Sequence, residues 1–485
     1  LRQLQSLGAF ANIDYRLEDY DGGQLLIITV KEHPKITQVE LNGMTVYEMD
    51  ELLSELLSKE GDLLNLSNLR KDIQFLEAKY EEDGYFLAKV YQVQPPQADG
   101  PLVISISEGV LGEVEVTGNT RTQEYVITRE LDSEPGQVLN MNVVRKDMMK
   151  LFNLNYFASV IPDFKPRSDA QGYDMKVAVE EKSTGSMNFG GGFSQAYGMF
   201  LYSDLNIDNI FGSGQLVALK GQWGTENSDY YQFKYHNPWM WNDRKSLTLR
   251  LWLTNGSYAY SSYVSYTDQS RKGVELSIGW PFSYEWTTRH SGKFETVKVT
   301  DEKEYYRIYS YTFSVIHDSR DVRFNPLNGF YHIVSVERGL PMDKFALDFT
   351  KYDVTLQGFF QTSEHQTIAL RGIFGMMTGL VEDTELYYIG GGNTVRGYPE
   401  YPDSFAHGTK RAIVNAEYRF ILNEMFQALL FADWGWANSL DGLDSGKIGK
   451  GAGLRINTPI GPIRLDYGFD EDNLGRFHFN IGHVF

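Results

Sequence analysis

The segment SLTLRLWL, residues 246–253, decides the fold. Leu247, Leu249, Leu251 and Leu253 fall on one side of an extended chain, and Ser246, Thr248 and Arg250 on the other, because a strand points successive side chains to opposite faces. A helix would scatter the same residues around its axis. YYQFKYH (230–236) repeats the pattern, with Tyr231, Phe233 and Tyr235 opposing Gln232, Lys234 and His236. So does YSYTFSV (309–315), with Tyr309, Tyr311, Phe313 and Val315 opposing Ser310, Thr312 and Ser314.

Such segments recur from about Ser186 to Phe485, broken by turns such as FGSGQ, NPLNG, LNEM and TPIGP. Strands of ~10 residues plus turns give about sixteen over this length, the even number a single-chain membrane barrel needs. We place them near 186–196, 199–210, 214–224, 228–237, 245–256, 270–280, 284–299, 304–317, 328–339, 345–361, 365–379, 409–421, 426–437, 447–458, 461–469 and 475–485. A soluble sandwich also alternates. Three features favour a membrane barrel: strand length, Tyr and Trp near strand ends (NPWMW, 237–241; ADWGW, 432–436; ELYYIG, 385–390), and Arg, Lys, Glu and Gln on the polar face, which a wet lumen accepts. Lipid hydrates no backbone group, so such a sheet must close.

The front of the chain is different. IITVKE (27–32), VISISEG (103–109) and VAVEEKS (177–183) are near-copies, and Glu32, Glu108 and Glu181 lie 76 and 73 residues apart (108 − 32, 181 − 108). ITQVELNG (36–43) and LGEVEVTG (111–118) end on Gly43 and Gly118, 75 apart (118 − 43). The period marks an array of small domains. In one unit a strand is followed by helical spacing in MDELLSELLSKEGD (49–62) and LSNLRKDIQFLEAKYEEDGY (66–85), then by strands FLAKVYQVQ (86–94) and PLVISISEG (101–109). The order is β-α-α-β-β. In the next unit TQEYVITREL (122–131) and MNVVRKDMMKLFNLNYF (141–157) supply the helices, ASVIPDF (158–164) and YDMKVAVEEK (173–182) the strands. The expected domains are a partial unit at 1–33 (last helix and two strands), whole units at 34–109 and 110–184, and a transmembrane β-barrel at 185–485 with a long loop at 388–409. The opening LRQLQSLGAF reads as the middle of a helix, so a longer parent chain is expected.

Composition narrows the function. A net charge of −19 argues against nucleic-acid binding. The absence of Cys removes disulfides, thiolate metal sites and Cys nucleophiles. The nine His are scattered without a metal-ligand spacing, and His317, Asp318 and Ser319 are sequence neighbours, not a triad. Gly390, Gly391 and Gly392 lack the Lys-Ser/Thr of a phosphate loop. No enzyme, cofactor or metal is expected; an outer-membrane enzyme would need a Ser/His pair on an outer strand face.

Three motifs remain: GGGNTVRGYPEY (390–401), DSRDVRFNPLNGFY (318–331) and the terminal FHFNIGHVF (477–485). With the tandem units they resemble the BamA family of outer-membrane β-barrel assembly proteins over essentially the whole chain. The units resemble POTRA domains, VRGY resembles the family's sixth-loop motif, and the last strand resembles its β-signal. The resemblance implies an outer-membrane barrel with periplasmic POTRA domains. Its partners would be the lipid bilayer, unfolded outer-membrane protein clients, and periplasmic chaperones or accessory assembly subunits, with no nucleic acid. It also implies that the loop folds into the lumen, where Arg396, with Gly397 and Tyr398, meets wall acids. Alternation independently turns Glu417 inward, opposite Ala412, Val414, Ala416, Tyr418 and Phe420, and Asp433 inward, opposite Ala428, Leu430, Ala432, Trp434 and Trp436. Asp318 and Arg320, with Asn325, Pro326 and Gly329, are expected to fix the second motif's turn.

The resemblance further implies a lateral gate between the first strand (Phe189, Gly190, Gly191, Gly192) and the last (Phe477, Phe479, Asn480, Ile481, Gly482, Phe485). The POTRA strands at 86–94 and 158–164 are edges able to take a client strand by β-augmentation. Two-partner secretion transporters and TamA share these features, so a protein-translocating pore is the alternative. The tail of a third unit weighs against the two-partner class.

Overall fold

The repeated text at the front folds as a repeated structure. The computed structural model describes residue 4 and residues 6–481 apart from 21–22, 99, 168–171, 195–197, 226–228, 242, 261–264, 300–304, 324, 383–384, 400–405, 424, 439–445 and 459–460. The chain divides into two compact units, Leu1–Glu181 and Lys182–Phe485.

In the first unit, β1 (Phe10–Tyr20) and β2 (Gly23–Glu32) form an antiparallel hairpin. The next copy is β3 (Ile36–Asn42), α1 (Met49–Glu55), α2 (Leu66–Glu82), β4 (Lys89–Gln94) and β5 (Gly100–Ser107). The last is β6 (Val110–Thr117), α3 (Glu124–Thr128), α4 (Met141–Asn153), β7 (Phe157–Pro166) and β8 (Gly172–Glu181). The sheet orders are β3-β5-β4 and β6-β8-β7, so β4 and β7 are edges. Leu52, Leu76 and Tyr80 of the helices pack on Leu41, Leu102 and Ile104 in one copy. Val126, Val144 and Leu151 pack with Met175 and Val177 in the other.

The repeated glutamates now have a reason. Glu108 accepts the amides of Thr45 (2.8 Å) and Val46 (3.0 Å), and Glu181 those of Thr120 (3.1 Å), Arg121 (3.0 Å) and Thr122 (2.6 Å). Each closes the turn leaving the first strand of its copy. Gly43 and Gly118 precede that turn at φ +83° and +89°, where an added Cβ would stand 2.2 Å and 2.0 Å from the carbonyl oxygens of Ile106 and Val179.

The first helix of each copy is shorter than its periodicity suggests. Leu56 is extended after α1, because buried Asp72 captures the amides of Leu57 (2.6 Å) and Ser58 (3.0 Å). Asp147, 75 residues later (147 − 72), captures those of Asp132 and Ser133, both at 2.9 Å. Successive copies are joined alike. The Leu66 amide donates to the Gly8 carbonyl (2.9 Å) and the Met141 amide to that of Gly84 (2.9 Å). The N-cap side chains Asn65 and Asn140 donate to the carbonyls of Leu7 (2.8 Å) and Asp83 (2.9 Å).

The second unit is one antiparallel sheet of sixteen strands plus a small hairpin. Its strands are β9 (Gly185–Ser194), β10 (Gly198–Ile210), β11 (Gln215–Gly224), β12 (Asp229–Asn237), β13 (Ser246–Tyr260), β14 (Ser265–Pro281), β15 (Trp286–Val299), β16 (Tyr305–Asp318), β17 (Gly329–Gly339), β18 (Phe349–Ser363) and β19 (Gln366–Gly379). They continue, after the hairpin β20 (Tyr387–Ile389) and β21 (Ala406–Gly408), with β22 (Lys410–Ile421), β23 (Phe426–Ala437), β24 (Lys447–Thr458), β25 (Gly461–Phe469) and β26 (Gly475–Ile481). Neighbours in sequence are neighbours in the sheet, and β9 and β26 are its two ends; among the described residues no ladder pair joins them. Leu251, Leu253, Tyr311, Phe313, Leu430 and Phe477 are exposed on one face. Arg371, Asn415, Glu417, Asp433 and Asp466 are buried on the other. Apolar outside and charged inside is the pattern of a barrel in lipid. No helix among the described residues is long and apolar enough to cross a membrane.

The turn between β16 and β17 is held by Arg320, whose Nε and Nη2 donate to the Asp318 carboxylate (2.7 and 2.9 Å) and whose Nη1 donates to the Arg323 carbonyl (3.0 Å). Asp321 accepts the amides of Val322, Leu327 and Asn328. Pro326 is buried and Asn325 half-buried beside it. At Gly329 a Cβ would meet the Ser319 carbonyl oxygen at 2.3 Å.

Candidate functional site: a loop seated inside the barrel wall

The segment 390–398 follows β20 and lies against the buried face of the sheet. Its centre is Arg396, only 3% exposed. Nε and Nη2 donate to the two oxygens of Asp433 (2.7 and 2.8 Å), Nη1 donates to Glu417 (2.7 Å), and the Arg396 amide also reaches Asp433 (3.1 Å). The guanidinium stacks on the Phe431 ring at 3.6 Å. This fork-on-carboxylate pairing needs the planar arrangement of Arg; a Lys would make one bond where Arg makes two.

The acids belong to a wider network. Glu417 also accepts from Arg419 Nε (2.8 Å) and Arg455 Nη2 (3.3 Å). Asp466 accepts from Arg455 Nη1 (2.6 Å) and stands 3.7 Å from both Arg396 and Arg464. The loop backbone is held as firmly as its side chain. Arg371 donates to the Asn393 carbonyl (2.8 Å), Asn415 to that of Thr394 (2.7 Å) and Arg464 to that of Gly392 (2.7 Å). The Gly397 amide donates to His478 Nε2 (2.9 Å), and the Tyr398 hydroxyl donates to the Ile448 carbonyl (3.3 Å).

The wall beneath is stripped of side chains. A Cβ on Gly449 of β24 would lie 1.8 Å from the Arg396 carbonyl oxygen, and one on Gly468 of β25 would lie 2.5 Å from the Gly397 nitrogen. One on Gly435 of β23 would strike Val395 at 2.4 Å. The absence of a Cβ on the buried face lets the loop backbone approach closely enough for Arg396 to reach its acids.

Arg396, Glu417 and Asp433 thus meet in one cluster, with Gly397 and Tyr398 beside them. Asp466, Arg455, Arg464, Asn415, His478 and the three glycines belong to the same site, and sequence reasoning did not single them out for it. Asp466 had a signal: in IRLDYGF (463–469), Ile463, Leu465 and Tyr467 alternate with Arg464 and Asp466, the argument that turned Glu417 inward.

The expected gate residues lie on the two end strands of the sheet. Phe189 of β9 is 70% exposed, and Phe477 and Phe479 of β26 are 60% and 56%. Gly190, Gly191 and Gly192 pair with Tyr202, Leu201 and Phe200 of β10. The Tyr202 ring covers Gly190, 2.4 Å from where a Cβ would be, so an aromatic neighbour supplies packing the glycine lacks. Asn480 abuts Gly392 of the loop. Ile481, paired with Ile463, ends β26. Gly482 and Phe485 lie outside the described residues.

Comparison with known proteins agrees with this geometry. Residues 209–485 match the Omp85 superfamily domain, and 34–109 and 110–182 each match the POTRA model described as a surface antigen variable number repeat. The outer membrane protein assembly factor BamA of Nitratidesulfovibrio vulgaris is 25% identical over 99% of this chain, which spans 66% of that protein. Two solved structures share the fold. BamA from Haemophilus ducreyi lacking POTRA domains 1-3 has a TM-score of 0.53 at 16% identity, covering 92% of this chain and 98% of that one. CdiB from Escherichia coli has a TM-score of 0.65 at 14% identity, covering 93% and 88%. The chain belongs to the Omp85 superfamily, as an outer-membrane β-barrel preceded by periplasmic POTRA units.

Proposed function

We propose that this chain is part of a machine that assembles β-barrel proteins into the outer membrane. The observation that carries the reading is the loop clamped by Arg396, which is bonded to side chains of the wall from β19 to β26. The likeness to a BamA assembly factor over 99% of this chain favours work at the sheet's seam over conduction through its centre. The edge strands β4 and β7 present backbone donors and acceptors to an extended client, recognising a strand with little demand on its sequence. β9 and β26 then form the lateral gate, where a client strand is templated and released into lipid. Client folding and apolar burial supply the driving force. Unfolded outer-membrane proteins are the substrates, and chaperones or accessory subunits deliver them.

Depletion of the full-length protein in its host tests this. Loss of outer-membrane barrels in general is the expected result. Loss of a single exported protein would instead select the translocating-pore reading. Joining β9 to β26 through introduced cysteines should stop assembly, and full activity of the joined form would refute the gate.

A further inference from the structure

His478 lies on the inward face of β26 and is 7% exposed. Its Nε2 accepts the Gly397 amide at 2.9 Å, so the ring holds its proton on Nδ1 and keeps the Nε2 lone pair free for the loop. Gly397 directly follows Arg396, whose side chain is fixed to β22 and β23 through Glu417 and Asp433. Two consecutive residues therefore grip different parts of the wall. Arg396 holds strands within the sheet; Gly397 holds the strand at its end. A second contact follows two residues along β26, where Asn480 Nδ2 stands 2.3 Å from the position a Cβ on Gly392 would take. Gly392 is itself anchored through its carbonyl by Arg464 of β25. In the described ladder β26 has β25 as its only strand neighbour, so the loop is its other hold.

We propose that His478 is the positioning residue that ties the seam strand to the seated loop, making loop seating and seam state one coupled variable. This deepens the gate reading and rests on it. Replacing His478 by a side chain that cannot accept a hydrogen bond removes this tie to β26 while Arg396 stays on its carboxylates. A glutamine, whose Oε1 accepts, keeps the tie.

The native chain has no cysteine, so one cysteine in β9 and one in β26 report on the seam alone. In the full-length protein in outer membranes, pairs between residues 188–192 and residues 477 or 479 are screened, and the highest-yielding pair is kept. His478→Leu should change its rate of disulfide formation roughly fivefold, the size of one buried hydrogen bond. His478→Gln should restore the rate to within about twofold. Should His478→Leu fail to give the heat-resistant folded band, His478→Asn, which is too short to reach Gly397, replaces it with the same expectation. A seam rate that ignores His478, or that shifts equally in the glutamine variant, overturns the coupling. Failure of the gate reading looks different: the disulfide-locked protein keeps full assembly activity whatever stands at 478.

Discussion

At Arg396 a single side chain makes the loop's charged grip on the wall. Arg396→Ala removes the cation from between two carboxylates that are almost fully buried. Breaking such a pair costs about 3–5 kcal/mol, because the partners stay buried without their counter-charge. The folded band should convert at lower temperature on gels, with assembly reduced. Glu417→Gln should be as severe, since Glu417 receives Arg396, Arg419 and Arg455 together. A smaller effect than that of Arg396→Ala would mean Asp433 carries the lock alone. A second residue-scale expectation concerns Glu181. Burial pushes its carboxyl upward, but hydrogen bonds from Thr122, Thr120 and Arg121 outweigh this and hold its pKa at about 2. Its folded value lies below its unfolded one. The stabilisation is therefore complete above the ordinary glutamate value of 4.5 and is lost as pH falls from there to about 2. Thermal melts of the POTRA region should show a wild-type advantage over Glu181→Gln at about pH 6 that shrinks steadily as pH falls from 4.5 toward about 2.

Among the elements, the glycines of β24 and β25 matter more than their lack of side chains suggests. Gly449→Val and Gly468→Val put carbon where the Arg396 carbonyl and Gly397 nitrogen now sit. Both should unseat the loop and match Arg396→Ala in heat sensitivity, though neither touches a charge. The alternation of leucine with polar residues made each strand legible, because lipid and lumen impose opposite chemistry on the two faces. These glycines were not legible, because a glycine in a strand gives no sign of what approaches it. The helix following β3 was over-read for a related reason. Periodicity continues through Leu56 and Leu57, but Asp72, fifteen residues on (72 − 57), takes the amides that would have extended it. The asparagines at the joints were hidden too, since N-caps are common and their second bond is visible only when the preceding copy is in place. Asn140→Ala should cost about 1 kcal/mol as a lost cap, and should broaden the range of inter-unit angles seen by small-angle scattering.

For the whole molecule, the repeats and the barrel each have their own packing. Leu52, Leu76 and Leu102 close one core and Val144, Leu151 and Val177 another, while Ile389, Val395 and Ile413 cluster inside the barrel wall. Residues 182–485 alone should therefore fold in detergent and keep the heat-resistant band, while losing client assembly; an unfolded product would show that the barrel needs its periplasmic region to form. The architecture was readable from text because both halves repeat, at 75 residues in one and two in the other. The site was only half readable. Glu417 and Asp433 lie on the two strands that follow the loop in sequence, whereas Asp466, Arg455 and His478 come from later strands and reach it only in the folded sheet.

The joint between copies has a consequence for the periplasmic region as an electrical object. The carbonyl end of α2, at Asp83 and Gly84, meets the amide end of α4, at Asn140 and Met141. Helix dipoles run from positive amide ends to negative carbonyl ends, so the negative end of α2 meets the positive end of α4. The bonds of Leu66 and Asn65 to Gly8 and Leu7 repeat the same joint one copy earlier. At the joint of α2 with α4 the later copy offsets the negative pole of its predecessor's helix with the positive pole of its own.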